Sequence, residues 1–180
     1  MGVKYLFLDI DGVLNHDEWF ESPGYRNNQA NWKVSMFDPE CVKRVNKILQ
    51  ETRAELVVSS SWRGMTDLEE IFEGVGLPFK FWRTPYADTI YSTDEYDDES
   101  PVFWRGSEIK YFLERHPCDA YVILDDDTDM LPEQMDHFIN TCGDRIYRKE
   151  LYLENQGSGL TEKVMNKAIE ILNGNIKAEN

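Results

Sequence analysis

Three short apolar runs, each ending abruptly in a cluster of oxygen-bearing side chains, constrain the fold of this chain more than any other feature. Val3 to Leu8 runs into Asp9 and Asp11, Leu56-Val57-Val58 into Ser59-Ser60-Ser61, and Tyr121 to Leu124 into Asp125-Asp126-Asp127. Apolar runs that do not alternate with polar residues are the pattern of strands buried on both faces. Helical periodicity fills the intervals. Asp38-Pro39 reads as an N-cap followed by proline at the first helical position, and Val42, Val45, Ile48 and Leu49 carry a helix over 39–52. Thr66 with Glu69 suggests a capping box ahead of Leu68, Ile71 and Phe72, with Gly74 and Gly76 stopping that helix. Ser107 reads as the cap of a helix through Ile109, Phe112 and Leu113 that closes at His116-Pro117. Thr161 reads as the cap of a last helix through Leu160, Val164, Ala168, Ile169 and Leu172, stopped by Gly174. Phe79 to Trp82 and the region of Phe138-Ile139 are candidate further strands.

Strands that alternate with helices predict an α/β fold, a parallel sheet with helices on both faces. In such sheets ligands gather beyond the carboxyl ends of the strands. The three polar clusters stand at those ends, and this coincidence is the main argument for a site there. The 180 residues read as one domain over 1–180. Within it, 15–37 is a candidate small cap or flap, and 83–104 an acidic loop insert carrying Asp94, Glu95, Asp97, Asp98 and Glu99.

Delivering Asp9 and Asp11 to one strand end crowds two carboxylates, and Asp125 and Asp126 from another strand compound the cost. A cation must offset such a cluster, or some of the acids must stay protonated. All-oxygen donors select a hard cation, and Mg²⁺ is favoured where a phosphate completes its octahedron. Gly12 allows a tight turn whose backbone N–H groups could hold phosphoryl oxygens. Ser59, Ser60 and Ser61 would add neutral donors.

These residues resemble the haloacid dehalogenase-like (HAD) superfamily. Asp9-Ile10-Asp11-Gly12-Val13-Leu14 matches its first motif, Val57 to Arg63 its second, and Val122 to Asp126 its fourth. The combination with Gly106, Glu108-Ile109 and Gly159-Leu160-Thr161 is similar to the HAD domains of Swiss army knife RNA-repair proteins, and the domain is expected to stand alone, without fused repair modules. The resemblance implies a three-layer Rossmann-like domain with a small or minimal cap. It also implies a Mg²⁺-dependent phosphatase that cleaves a phosphomonoester through an aspartyl-phosphate. Asp9 would be the nucleophile and Asp11 the general acid and base. The metal would be held by Asp9, the Asp11 carbonyl and one of Asp125 and Asp126, with Asp126 the first choice. The second-motif hydroxyl is open among three serines, with Ser60 preferred, then Ser59. The third-motif cation is open between Arg105 and Lys110, with a slight preference for Arg105. Trp62 and Arg63 could contact substrate just after the second motif.

Plainer readings stand beside these. His16 fits a structural loop histidine better than a substrate contact, and Trp19, Phe20, Tyr25 and Trp32 fit a cover over the core better than a stacking platform. Asp127 and Asp129 read as solvated residues or a helix N-cap. A non-hydrolytic phospho-acceptor or a metal-binding regulatory domain is the competing functional class.

The net charge of −15 argues against strong non-specific binding to nucleic acid or anionic membrane. A nucleotide or a nucleic-acid end, held locally, remains compatible, more so if Arg26, Lys33, Arg63, Arg83 and Arg105 cluster at the mouth of the site. No apolar run is long enough to span a bilayer. The start of the chain lacks the apolar length of a signal peptide, and Leu6 excludes a myristoylation signal at Gly2. Cys41, Cys118 and Cys142 fit neither a disulfide framework nor a zinc pattern, so a cytoplasmic location is expected.

Overall fold

The structure, a computed structural model, describes residues 2–27, 31–86, 104–141 and 158–174. Five parallel strands form one sheet in the order β3-β2-β1-β4-β5: β1 is Lys4–Leu8, β2 Glu55–Val58, β3 Trp82–Arg83, β4 Ala120–Asp125 and β5 Phe138–Asn140. Leu8 of β1 lies in register with both Val58 and Leu124, so three strands end side by side. The chain builds outward from β1 to β2 and β3, then returns to place β4 on the other side of β1. That reversal makes the boundary between β1 and β4 the topological switch point, where an open α/β sheet offers its crevice.

The pleat sorts the strand side chains between two cores. Leu6, Leu8, Leu56, Val58, Val122 and Leu124 face one layer. There they meet Val42, Val45 and Ile48 of α4 (Pro39–Thr52), Leu68, Ile71 and Phe72 of α5 (Leu68–Val75), and the last helix, α7 (Glu162–Leu172). Tyr5, Phe7, Val57 and Ile123 face the opposite layer, against Ile109 and Phe112 of α6 (Trp104–Arg115) and Phe138. Edge-on ring contacts of Phe112 with Tyr5 and Phe7, at 5.3 and 5.5 Å, lock that second layer. Helices on both faces of a parallel sheet make the three-layer Rossmann-like arrangement expected from the apolar runs.

α4 has the predicted bounds: Asp38 caps it by accepting from Glu40 N at 2.9 Å, and Pro39 opens it. α7 is capped by Thr161 as expected. Two helix starts differ from expectation. α5 begins after Asp67, whose carboxylate pairs with Lys33 rather than capping, so the Thr66–Glu69 capping box is not formed. α5 also runs through Gly74 and ends at Gly76, whose φ of +86° supplies the left-handed turn. α6 starts at Trp104, leaving Ser107 inside the helix, because its N-terminal donors are met from a distant loop. Arg105 N donates to Asp129 Oδ2 at 2.9 Å and Gly106 N to Asp129 O at 3.1 Å. β3 is shorter than predicted and begins at Trp82, with Phe79 left exposed.

The described residues of 15–37 include three short helices, α1 (Asp17–Glu21), α2 (Pro23–Asn27) and α3 (Trp32–Ser35). His16 caps α1 by accepting from Trp19 N at Nδ1 (3.3 Å), and its Nε2 reaches Asp38 at 2.9 Å. The histidine thus ties this segment to the start of α4. Trp19, Phe20 and Tyr25 pack edge to face, and Trp19 Nε1 donates to Ser35 O, while Trp32 stays exposed. Most of the 83–104 stretch lies outside the described residues, as does Cys142. Cys41 and Cys118 are free thiols. Among the described residues no helix is long and apolar enough to cross a membrane.

Candidate active site

The sheet hydrogen bonding continues one residue beyond the strands and fixes the site at its base. Asp9 N donates to Leu124 O, Ser59 N to Leu8 O and Thr141 N to Asp125 O, at 2.9, 2.9 and 3.0 Å. After Asp9 the chain tightens at once: Val13 N and Leu14 N return to Ile10 O, burying Ile10, Val13 and Leu14 beneath the turn. Gly12 sits in this turn with φ +72°. A Cβ there would lie 2.3 Å from Asp126 Oδ2, so only glycine lets the first and fourth strand ends approach this closely.

Asp9, Asp125 and Asp126 each bring a carboxylate oxygen within 4.8 Å of the others, the oxygen set expected for a hard cation. Burial pushes the Asp9 carboxyl up to about 7; Arg105 and a hydrogen bond from Ser60 oppose this, while Asp126 and Asp11 add to it. Burial likewise raises Asp125 well above the ordinary range, with Asp9 adding to the effect. Asp125 Oδ1 accepts from Asp127 N at 2.9 Å, whereas the buried Oδ2 has no hydrogen-bond partner. That oxygen is met instead by the Arg105 guanidinium, and three carboxylates brought this close form an all-oxygen donor set that fits Mg²⁺.

Arg105 is the cation the structure brings to these acids. Its Nε lies 3.3 Å from Asp125 Oδ2 and its Nη2 3.6 Å from Asp9 Oδ1. Burial disfavours its charge, but Asp125, Asp9 and Glu108 outweigh that and raise its pKa. Gly106 makes the placement sterically possible, since a Cβ there would meet Leu131 N at 2.5 Å and Gln134 Oε1 at 2.8 Å. α6 can therefore lie directly against the loop that follows β4. Lys110, the other candidate, points away: it is half exposed and pairs with Glu133 at 3.4 Å.

The serines separate clearly. Ser60 is fully buried, bonds to Asp9, and accepts from Trp62 N at 3.4 Å. Ser59 is buried beside it with an unpartnered Oγ, while Ser61 is exposed and offers its carbonyl to Tyr86. Two other residues take positions unlike those expected of substrate contacts. The Gly12 N–H is engaged by Asn15 Oδ1 at 3.0 Å. Arg63 is buried, pairing with Glu108 at 2.6 Å, donating to Ser60 O at 2.7 Å, and stacking 3.9 Å over the Tyr86 ring. Glu108 reaches Arg105 with its other oxygen at 3.3 Å. Arg63 and Glu108 thus join the second-motif loop to the helix that carries Arg105. Their separation of 45 residues hides the pair from sequence reading, although Arg63 and Glu108 each fall within the motifs.

Four of the five basic residues considered for the mouth of the site are already paired with acids. Lys33 faces Asp67, Arg83 faces Glu69, Arg63 faces Glu108 and Arg105 faces Asp9 and Asp125. A second group, His16, Asp38 and Cys41, also lies close together. His16 and Asp38 already cap α1 and α4, Cys41 donates to Asp38 Oδ2 at 3.6 Å, and burial, reinforced by Asp38, pushes the Cys41 thiol up to about 12.

A doubly covered parallel sheet with acids at its switch point, a buried hydroxyl and a half-buried arginine fits a Rossmann-like α/β domain of the HAD type. The profile of the HAD domain in Swiss Army Knife RNA repair proteins matches residues 5–145, and the chain belongs to that family. Comparison with curated proteins gives no match.

Proposed function

We propose that this chain is a Mg²⁺-dependent phosphatase that hydrolyses a phosphomonoester, on a nucleotide or at a nucleic-acid end. The convergence of Asp9, Ser60, Arg105, Asp125 and Asp126 on one switch point carries the reading. Asp9, Asp125, Asp126 and the Asp11 carbonyl would hold the cation, which supplies charge neutralisation for the crowded acids and for the phosphoryl oxygens.

The chain's own residues perform the transfer. An Asp9 oxygen attacks phosphorus, the bond to the ester oxygen breaks, and Asp11 gives that oxygen its proton, releasing the alcohol. Asp11 then takes a proton from water as the resulting hydroxide attacks the aspartyl-phosphate. The phosphorus–Asp9 bond breaks, leaving inorganic phosphate and a regenerated carboxylate. Ser60 and Arg105 orient and neutralise the transferring group throughout. If helices α1 to α3 serve only as a small flap, the site would be open, which suits a substrate larger than a metabolite. The paired cations and a net charge of −15 fit recognition of a phosphorylated end rather than a long backbone.

The test is a panel of phosphomonoesters, including 3′- and 5′-phosphorylated oligonucleotides, with Mg²⁺ and with chelator. Turnover in the wild type that is lost in a folded Asp9→Asn variant is expected. A wild type inactive on the whole panel, or an active Asp9→Asn variant, would sink the proposal. Stable labelling of Asp9 without turnover would favour a phospho-acceptor domain instead.

A further inference from the structure

Trp62 carries a contact that the proposed chemistry does not yet use. Its Nε1–H lies 3.0 and 3.2 Å from the two Asp11 oxygens, spanning 51 residues between the second and first motifs. Its direction is set by packing, since the indole stands edge-on to the buried Phe37 ring, with centroids 5.5 Å apart at 79°. Asn15 also holds Asp11, donating from Nδ2 to Oδ1 at 2.7 Å. Asn15 is itself buried and anchored by the Gly12 N–H. Asp11 is nevertheless exposed, so its carboxylate is oriented by these two donors while facing outward.

We infer that Trp62 is a positioning residue that aims the Asp11 carboxyl at the leaving-group oxygen. The inference rests on the phosphatase reading and on Asp11 as its proton donor. A carboxyl that must deliver a proton needs its direction fixed, and an exposed aspartate would otherwise sample several rotamers. Trp62 supplies that direction from a rigid core rather than from solvent. The same contact places the indole beside the departing alcohol.

Leaving-group dependence tests this. An aryl phosphate expels a weakly basic phenolate and needs little protonation, whereas an alkyl phosphate depends on Asp11. Comparing kcat/KM, which reads the first transfer relative to free enzyme and substrate, keeps hydrolysis of the aspartyl-phosphate out of the measurement. Trp62→Phe keeps an aromatic ring against Phe37 and removes the N–H. It should lower kcat/KM by about tenfold for the alkyl ester and less than about twofold for the aryl ester, the scale of one hydrogen bond to a charged group. In an Asp11→Asn background the same substitution should add no further loss on the alkyl ester. Equal losses on both esters, or no loss on either, overturn the role of Trp62. A wild type inactive on both overturns the phosphatase reading and this inference with it. Should Trp62→Phe not fold, 3-benzothienylalanine at position 62, the same shape with sulfur for N–H, must reproduce the selective alkyl loss or the inference fails.

Discussion

Removing the charge of Glu108 should destabilise the protein far more than removing any surface acid. Glu108 and Arg63 face each other at 2.6 Å, with side chains only 6 % and 3 % exposed. Breaking a buried pair from one side leaves an uncompensated charge, at a cost of about 3–5 kcal/mol. In Glu108→Gln, Arg63 keeps the Ser60 and Pro85 carbonyls at 2.7 and 3.4 Å and the Tyr86 ring, which puts the loss near 3 kcal/mol, the low end of that range. In Arg63→Met, Glu108 keeps Arg105 at 3.3 Å, so a loss of about 2–4 kcal/mol is expected. With both charges gone neither penalty remains, and the double variant should be more stable than the two losses summed by about 2 kcal/mol or more. Urea unfolding of the wild type, both single variants and the double variant at saturating Mg²⁺ measures this directly. The reasoning is refuted if each single variant costs less than about 1 kcal/mol and the two losses add within about 0.5 kcal/mol. That result, with turnover reduced in Arg63→Met, would instead return Arg63 to the substrate.

Arg105→Met should lower kcat/KM by more than about a hundredfold, the scale of a lost electrostatic stabiliser, while Lys110→Met stays within about twofold; comparable losses in the two would undo the placement of the cation. Metal-free protein should lose stability as pH rises from about 4 to about 7. Asp9 is lifted to about 7 in the folded chain, whereas an unfolded aspartate titrates near 3.9, so the folded state binds the extra proton across that window. The loss is on the order of a few kcal/mol, and it should shrink in Asp9→Asn and with added Mg²⁺. Denaturant midpoints across pH check it, and a stability that is flat or rising through the window would contradict the sign.

Much of this architecture is legible from local signals. An apolar run reports a buried strand because its neighbours lie on both faces, and Asp38-Pro39 reports the start of α4 because capping is a contact between adjacent residues. The misplaced starts have non-local causes. α6 begins early because Asp129, 24 residues further along, caps Arg105. The Thr66 box fails to form because α5 starts a residue later, after Asp67, which pairs with Lys33, 34 residues before it. The site divides in the same way. Asp9, Asp11 and Asp125-Asp126 follow strands directly and announce themselves. Arg105 and Lys110 are five residues apart, about 140° around a helix, so only one can face the acids. Which one does so depends on how Gly106 lets the helix meet Leu131 and Gln134. The bracing roles of Arg63 and Trp62 depend on partners 45 and 51 residues away, which no spacing rule connects.

The central position of β1 governs how the site reports on the whole molecule. Asp9 hangs from a strand paired on both sides, whose Leu6, Phe7 and Leu8 are fully buried. Amides in such a strand exchange with solvent only when the entire sheet opens, not through fraying at an edge. A ligand captured by these carboxylates therefore slows deuterium uptake across β1, β2 and β4 together, by an amount that grows with the ratio of its concentration to its Kd. The slowest amides of the fold become a gauge of occupancy at its most acidic spot.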